Sequence, residues 1–220
     1  MSRINILTGH AGSGKTEIAI NCAVNLAKRG EKVAVVDMDI VNPYFCIRDI
    51  KKELEDTGVR VIAADAKLSN AELMVVPPEV ISVFDDKSYK VIMDVGGDDR
   101  GAIVLGQYNG YFKKEEYSMY FVINNNRPLT IQNKSVEDYM QSIERASRLK
   151  VTHLISNTNM SYETTPLDII KGDGKVLELS QKINIPYKYV VCLKKLEEEV
   201  KNKVHAELLT IDTYMKPPWA

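Results

Sequence analysis

The feature that most constrains this chain is a glycine-rich run close to its start, residues 9–16. The run reads Gly-His-Ala-Gly-Ser-Gly-Lys-Thr and fits the spacing G-x-x-x-x-G-K-[ST] of a phosphate-binding P-loop. Glycines suit such a loop because its backbone N–H groups must curl around a phosphate at a distance that a Cβ would obstruct. Lys15 can reach the phosphates as a point charge, and the Thr16 hydroxyl is a suitable ligand for Mg²⁺.

The segments around the loop agree with this interpretation. Residues 3–8 resemble a short apolar strand, and residues 17–29 place small apolar side chains at helical spacing before Gly30. A helix N-terminus, with its partial positive charge, would therefore face the bound anion. We assign the loop and the residue after it to nucleotide binding: Gly9, His10, Ala11, Gly12, Ser13, Gly14, Lys15, Thr16 and Glu17.

Two apolar runs end in carboxylates. Residues 32–37 end in Asp37, with Asp39 two positions later, and residues 90–94 end in Asp94. Ligands of open parallel sheets bind at the carboxyl ends of the strands, so these acids are expected beside the P-loop. We predict Asp37 and Asp94 as magnesium-site residues together with Thr16. The alternative for the 37–39 pair is helix capping or a solvated loop.

The loop after Asp94 is a candidate switch. Gly96 and Gly97 allow it to approach a terminal phosphate and to change conformation when that phosphate leaves. We count Asp98 in this loop, with Lys15 and Asp39, as a candidate catalytic residue. A solvated charged turn is the alternative for residues 98–100.

A later strand, residues 151–157, ends in Asn157. An amide offers both a donor and an acceptor, which suits the N6 and N7 edge of adenine, although a turn-capping role is the alternative. The guanine-reading pattern N-K-x-D is absent from the sequence, so adenine is favoured. Arg127, after the preceding strand, could touch phosphate or a partner subunit, or be a surface residue.

The whole chain has the composition of one globular domain, residues 1–220. Its 220 residues are 45% hydrophobic and its net charge is −1, which gives no general attraction to nucleic acid or membrane. No apolar run approaches the ~18 residues of a membrane span, and no signal-peptide pattern precedes the first strand. Three widely spaced cysteines argue against a disulfide framework, and the expected location is the cytoplasm.

The C-terminal third is predicted from periodicity. We expect a helix after Pro166 that breaks near residues 172–174 and resumes at Lys175. Residues 187–193 are predicted as the last strand, and residues 194–209 as an amphipathic helix.

The ordered P-loop, D-x-D, D-V-G-G-D and strand-end Asn motifs resemble the MinD/ParA/CobQ group of P-loop proteins, which includes the nitrogenase iron protein. The likeness spans residues 3–195. It implies an α/β fold of the P-loop NTPase type, with three α/β/α layers, a mostly parallel central sheet, ATP and Mg²⁺ as ligands, and a homodimer. By position it implies that Asp37 lies near Mg²⁺, Asp39 orients the hydrolytic water and Asn157 reads adenine.

The sequence departs from the pattern of this group at two points, and each removes one property that the resemblance would otherwise imply. Many members carry a lysine at the position of His10 that reaches the nucleotide of a partner subunit, so activation by that lysine is not expected here. Members that share an iron–sulfur cluster use two cysteines in the second half of the chain, where this sequence has only Cys192. Cluster carriage is therefore not predicted.

The first functional hypothesis is a Mg²⁺-dependent ATPase that acts as a switch on an unidentified protein partner or cargo. The alternative is an ATP-dependent ligase or kinase of the dethiobiotin synthetase or cobyrinate amidation type, acting on a small-molecule substrate. A third hypothesis is a protein that binds nucleotide without hydrolysing it. Direct nucleic-acid binding is not expected, because the chain has no appended basic domain.

Overall fold

A computed structural model describes residues 2–39, 46–64, 78–97, 99–130 and 132–215. Within these ranges the chain forms one sheet of eight strands, in the spatial order β3-β2-β4-β1-β5-β6-β7-β8, and every neighbouring pair is parallel. The strands are β1 (Ile4–Thr8), β2 (Val33–Met38), β3 (Val59–Ile62), β4 (Lys90–Val95), β5 (Tyr117–Ile123), β6 (His153–Ser156), β7 (Tyr187–Leu193) and β8 (Glu207–Ile211). The helices are α1 (Lys15–Lys28), α2 (Lys51–Asp56), α3 (Ser82–Asp85), α4 (Asp99–Gln107), α5 (Asn109–Phe112), α6 (Asn133–Ser147), α7 (Pro166–Ile183) and α8 (Glu197–Val200).

Helices cover both faces of the sheet and create two main cores. Along β1, Ile4 and Ile6 face one core and Leu7 faces the other, because successive side chains of a strand point to opposite faces. Helices α1 and α2 contribute to the core that contains Leu7, whereas α3, α4, α6 and α7 contribute to the other. The predicted three-layer α/β/α fold is confirmed. The near-continuous apolar runs of the central strands are typical of such doubly covered parallel sheets.

The strand order explains where a ligand would bind. Strand β1 lies between β4 and β5, so the loop that follows it opens at the point where the connections diverge to the two sides of the sheet. On one side, β2 and β4 pair in register with Asp37 opposite Asp94. On the other side lie β5 and β6, which lead to Arg127 and Asn157.

The predicted break in the helix after Pro166 is wrong. Helix α7 runs without interruption from Pro166 to Ile183. Gly172 packs under Thr158, and the fully buried Asp173 accepts hydrogen bonds from the Tyr187 hydroxyl at 3.0 Å and from His205 Nδ1 at 2.6 Å. These tertiary contacts outweigh the low helix propensity of the Gly-Asp-Gly run.

The predicted helix over residues 194–209 is also wrong. Helix α8 covers only Glu197–Val200, and the chain then enters β8, which pairs in parallel with β7. The strand before it, residues 187–193, is therefore not the last. The backbone N–H of His205 donates to Asp173 at 3.1 Å, and Leu208 packs in a small cluster with Val190. A short apolar pattern fits either a helix or a strand, and here the open sheet edge decided between them.

Two glycines of α7 provide a matched test of this packing. A Cβ added at Gly172 would lie 2.0 Å from Thr158 Oγ1, whereas one at Gly174 would meet nothing within 4 Å. We expect Gly172→Ala to lower the free energy of unfolding by about 1–3 kcal/mol through overpacking. Gly174→Ala should raise it by about 0.5–1 kcal/mol, because alanine is the better helix former. Urea unfolding of both variants measures this, and equal effects would contradict the continuous, packed helix.

Candidate nucleotide-binding site

The P-loop leaves the end of β1 and closes on the first turn of α1. Gly9 has φ +136°, and a Cβ there would lie 2.3 Å from the Val122 carbonyl oxygen of β5. Gly14, in the left-handed region at φ +86°, is the N-cap of α1. These two positions require glycine because both the backbone conformation and the available space exclude a side chain. The predicted strand, loop and helix order is confirmed.

Lys15 is the first residue of α1. Its side chain is buried, and Nζ donates to the His10 carbonyl oxygen at 3.2 Å, across the loop. The Ser13 backbone N–H also donates to the His10 carbonyl, at 3.1 Å. The ammonium group is thus held inside the loop that would surround a phosphate.

Asp94, at the end of β4, reaches the P-loop directly. Thr16 Oγ1 donates to Asp94 Oδ2 at 2.6 Å, while the buried Oδ1 has no hydrogen-bond partner among the described residues. Burial raises the pKa of Asp94 to about 7, and the nearby Lys15 ammonium limits the rise. A hydroxyl beside a carboxylate oxygen without a partner is a donor set that fits Mg²⁺, which takes oxygen ligands.

Asp37 lies opposite Asp94 and is held by Arg48. Arg48 Nη1 lies 3.3 Å from Asp37 Oδ2 and 3.2 Å from the Asp39 carbonyl oxygen, and the Asp39 backbone N–H donates to Asp37 Oδ1 at 3.1 Å. Burial raises the pKa of Asp37 to about 6, against the lowering effect of Arg48. Sequence reasoning missed Arg48, because it lies in the helical segment nine residues beyond Asp39 and belongs to no motif.

The loop after β4 packs against the P-loop. A Cβ at Gly97 would lie 2.5 Å from the Ala11 backbone nitrogen, and one at Gly96 would lie 3.1 Å from Asp39 Oδ1. The Tyr139 hydroxyl of α6 donates to the Gly97 carbonyl oxygen, and its ring centroid lies 5.0 Å from that of His10. Tyr139 thus links the two loops. Asp98 lies outside the described residues.

Asn157 reaches the P-loop from the end of β6. Its Nδ2 donates to the Ser13 carbonyl oxygen at 2.7 Å, and its Oδ1 accepts from Asn159 Nδ2 at 3.3 Å. Its side chain is buried. The structure therefore brings this amide to the site, and the reading of adenine by it stays a prediction.

The Glu17 carboxylate has a different set of partners. It accepts hydrogen bonds from the backbone N–H groups of Tyr214 and Met215, and one turn later Asn21 exchanges two hydrogen bonds of 2.8 Å with the backbone of Asp212. The segment after β8 is thereby attached to the first turns of α1. Any contact of Glu17 with a phosphate would come from its backbone N–H group.

The geometry of this site agrees with the family comparison. A profile of CbiA, the CobQ/CobB/MinD/ParA nucleotide binding domain, matches residues 4–164, which include the P-loop and the ends of β2, β4 and β6. The chain belongs to this family. The resemblance drawn from the motifs is therefore confirmed.

The individual relatives are more distant. Over 122 residues the chain is 30% identical to the iron-sulfur cluster carrier protein of Clostridium perfringens (strain 13 / Type A). That match covers 52% of this chain and 39% of the carrier protein, so it extends over well under half of the relative's length. In this chain the three cysteines, Cys22, Cys46 and Cys192, are all buried.

Solved structures share the fold. The cell division protein FtsY of Thermotoga maritima superposes with a TM-score of 0.54 at 18% identity, over 84% of this chain and 60% of that one. The signal recognition particle 54 kDa protein of Aeropyrum pernix K1, solved in complex with GDP, gives a TM-score of 0.53 at 17% identity, over 84% and 40%. No helix in the described ranges has both the length and the apolar character to span a bilayer.

The buried Asp94 carboxyl predicts a pH dependence of stability. Its pKa is about 7 in the folded protein against an ordinary 3.8, so in this pH interval the folded state keeps a proton that the unfolded chain releases. In the protein without metal or nucleotide, the contribution of Asp94 to stability should therefore fall as the pH rises from about 4 to 7. Asp94→Asn cannot ionise, and its stability advantage over the parent should grow by about 1–3 kcal/mol between pH 5 and pH 8.

Urea unfolding at four pH values from 5 to 8 measures this advantage. Asp56→Asn on the exposed end of α2 is the control, because its carboxyl group is solvated in both states. A stability difference between Asp94→Asn and the parent that stays constant with pH would contradict the prediction.

Glu17→Gln tests the attachment of the C-terminal segment. Both carboxylate oxygens now accept a hydrogen bond from a backbone N–H group. In the variant, the glutamine amide nitrogen replaces one of these oxygens and cannot accept, so one hydrogen bond would be lost. We expect the free energy of unfolding to fall by about 1 kcal/mol and hydrogen exchange at Tyr214 and Met215 to accelerate. Glu53→Gln on the exposed face of α2 should change neither quantity, and unchanged exchange in Glu17→Gln would refute the role.

Proposed function

We propose that this chain is a Mg²⁺-dependent ATP-binding and ATP-hydrolysing switch protein of the MinD/ParA/CobQ type. The observation that carries the proposal is the convergence of Lys15, Thr16 and three carboxylates at one edge of the sheet. The carboxylates arrive on the adjacent strands β2 and β4, and one of them is hydrogen-bonded to the P-loop threonine. The protein partner or cargo is not assigned.

We assign each of these residues a role in the proposed reaction. Lys15 neutralises phosphate charge from within the loop. Thr16 and Asp94 would hold Mg²⁺, together with Asp37, which is ion-paired with Arg48. When bound, the ion supplies charge neutralisation at the phosphates. Asp39, at the mouth of the loop after β4, is the group proposed to orient the attacking water and take its proton.

The loop after β4 supports the switch element of the proposal. Gly97 contacts Ala11 of the P-loop and accepts a hydrogen bond from Tyr139 of α6, and Gly96 packs on Gly101 of α4. A terminal phosphate on the P-loop would change the contacts of this loop, and its loss would release them. Helices α4 and α6 would carry the change to a partner. Asp98, proposed as a second catalytic carboxylate, follows Gly97 in the sequence.

The decisive experiment is a turnover assay with ATP and GTP in the presence of Mg²⁺. We expect phosphate release from ATP that is lost in Lys15→Ala, because the variant removes the cation held inside the P-loop. Asp39→Asn should still bind Mg·ATP but hydrolyse it at least about 100-fold more slowly. The assay monitors free phosphate and phosphorylated small molecules separately.

Three results would contradict the proposal. Turnover that survives in Lys15→Ala would place the activity elsewhere. Unchanged hydrolysis in Asp39→Asn would remove that residue from the mechanism. A phosphorylated small molecule in place of free phosphate would indicate a kinase or ligase rather than a switch.

A further inference from the structure

The described side chains that converge at the site include more carboxylates than cations. The described side chains that converge there include three carboxylates, Asp37, Asp39 and Asp94, and two cations, Lys15 and Arg48. Arg48 is already ion-paired with Asp37. All the carboxylates arrive from β2 and β4, on one side of β1. On the β5 side, an arginine lies beside the P-loop.

That arginine is Arg127. Its Nε donates to the Gly12 carbonyl oxygen at 3.3 Å, and a Cβ placed on Gly12 would lie 3.1 Å from the same nitrogen. The guanidinium group therefore lies directly against the middle of the P-loop. Its side chain is exposed, and no carboxylate within the described ranges forms an ion pair with it. A carbonyl contact at 3.3 Å uses one of the five N–H donors of a guanidinium group.

The backbone that carries Arg127 is tightly held. The Arg127 N–H donates to the Asn124 carbonyl oxygen at 3.1 Å, and the Thr130 N–H donates to the Arg127 carbonyl oxygen at 3.0 Å. The buried Asn124 also donates from Nδ2 to the Gly12 carbonyl oxygen at 3.4 Å and to the Asn159 carbonyl oxygen at 2.9 Å. The turn thus fixes the position of the Arg127 backbone, whereas the exposed side chain can change its contacts.

The contacts along the P-loop follow one another in sequence. The loop after β4 contacts Ala11, Arg127 contacts Gly12, and Asn157 contacts Ser13 and Gly14. Arg127 therefore lies between the candidate switch loop and the candidate base-reading amide. In a nucleotide the phosphate chain lies between the reacting terminal phosphate and the base.

We infer that Arg127 is a phosphate-binding residue of the nucleotide site, an inference that rests on the proposed function. On entry of the nucleotide, its guanidinium group exchanges the Gly12 carbonyl oxygen for oxygens of the phosphate chain. A planar guanidinium group forms paired, charge-assisted hydrogen bonds to phosphate, and the neutral carbonyl is the weaker acceptor. The phosphate chain thereby receives, from the β5 side, a positive charge in addition to that of Lys15.

The test is the dissociation constant of Mg·ATP for the full chain and a set of variants, measured by titration calorimetry. Arg127→Ala should weaken binding about 10- to 100-fold, the effect of removing charge-assisted hydrogen bonds. Arg127→Gln should weaken it to a similar extent, although glutamine can still donate to the Gly12 carbonyl oxygen. Arg127→Lys, which keeps the charge without the planar fork, should recover part of the loss.

Arg145→Ala is the matched control, because this exposed arginine lies on α6 and its removal changes the net charge equally. It should bind within about twofold of the parent, as expected for a surface site away from the ligand. Affinity in Arg127→Gln equal to the parent would show that Arg127 only supports the Gly12 carbonyl and would overturn the inference. Parental affinity in Arg127→Ala would overturn it as well.

The same titrations separate this inference from the proposed function. If the parent binds Mg·ATP, Lys15→Ala does not, and every Arg127 variant binds like the parent, the inference fails and the proposed function stands. If the parent itself binds neither Mg·ATP nor Mg·GTP, the proposed function fails first.

Discussion

The hydrogen bond between Thr16 and the buried Asp94 carboxyl joins the P-loop to the centre of the sheet. Asp94 is 1% exposed, and one of its oxygens has no partner among the described residues. A buried carboxyl group in this state is unfavourable when ionised, and its raised pKa expresses that cost. Protonation or a nearby cation would remove this cost, so the feature that lowers the stability of the protein near neutral pH also supports the proposed magnesium site.

Around this centre, three loops contact the P-loop. Gly97 of the loop after β4 contacts Ala11, Arg127 of the loop after β5 contacts Gly12, and Asn157 after β6 contacts Ser13. Because these segments belong to different strands, a ligand in the P-loop can influence several elements at once. Tyr139 links the first of these loops to α6. The proposed switch could therefore act through small shifts of these packed loops.

Much of the site was predictable because its residues belong to local motifs. The P-loop and the strand-end acids Asp37 and Asp94 are recognised from spacing alone, and the parallel sheet brings them together. Arg48 was not predicted, because an arginine in a helical segment carries no pattern until the fold brings it within 3.3 Å of Asp37. Glu17 was assigned to the nucleotide site from its place beside the P-loop, which stays a prediction, and the contact of its carboxylate with the C-terminal segment was not predicted.

The sequence by itself determined that β1, the P-loop and α1 follow one another, and that acidic side chains lie near the carboxyl ends of β2 and β4. It also determined most of the alternation of strands and helices. Each of these features depends on residues that are close together in the chain. Tertiary structure alone decided that α7 continues through Gly172 and that residues 207–211 join the sheet rather than extend a helix. In the first case the buried Asp173 and its distant partners outweigh a weak helix propensity, and in the second the open edge of the sheet at β7 takes up the strand. The same physical reason applies to Arg127, whose nearness to Gly12 arises from contacts between strands that the sequence keeps far apart.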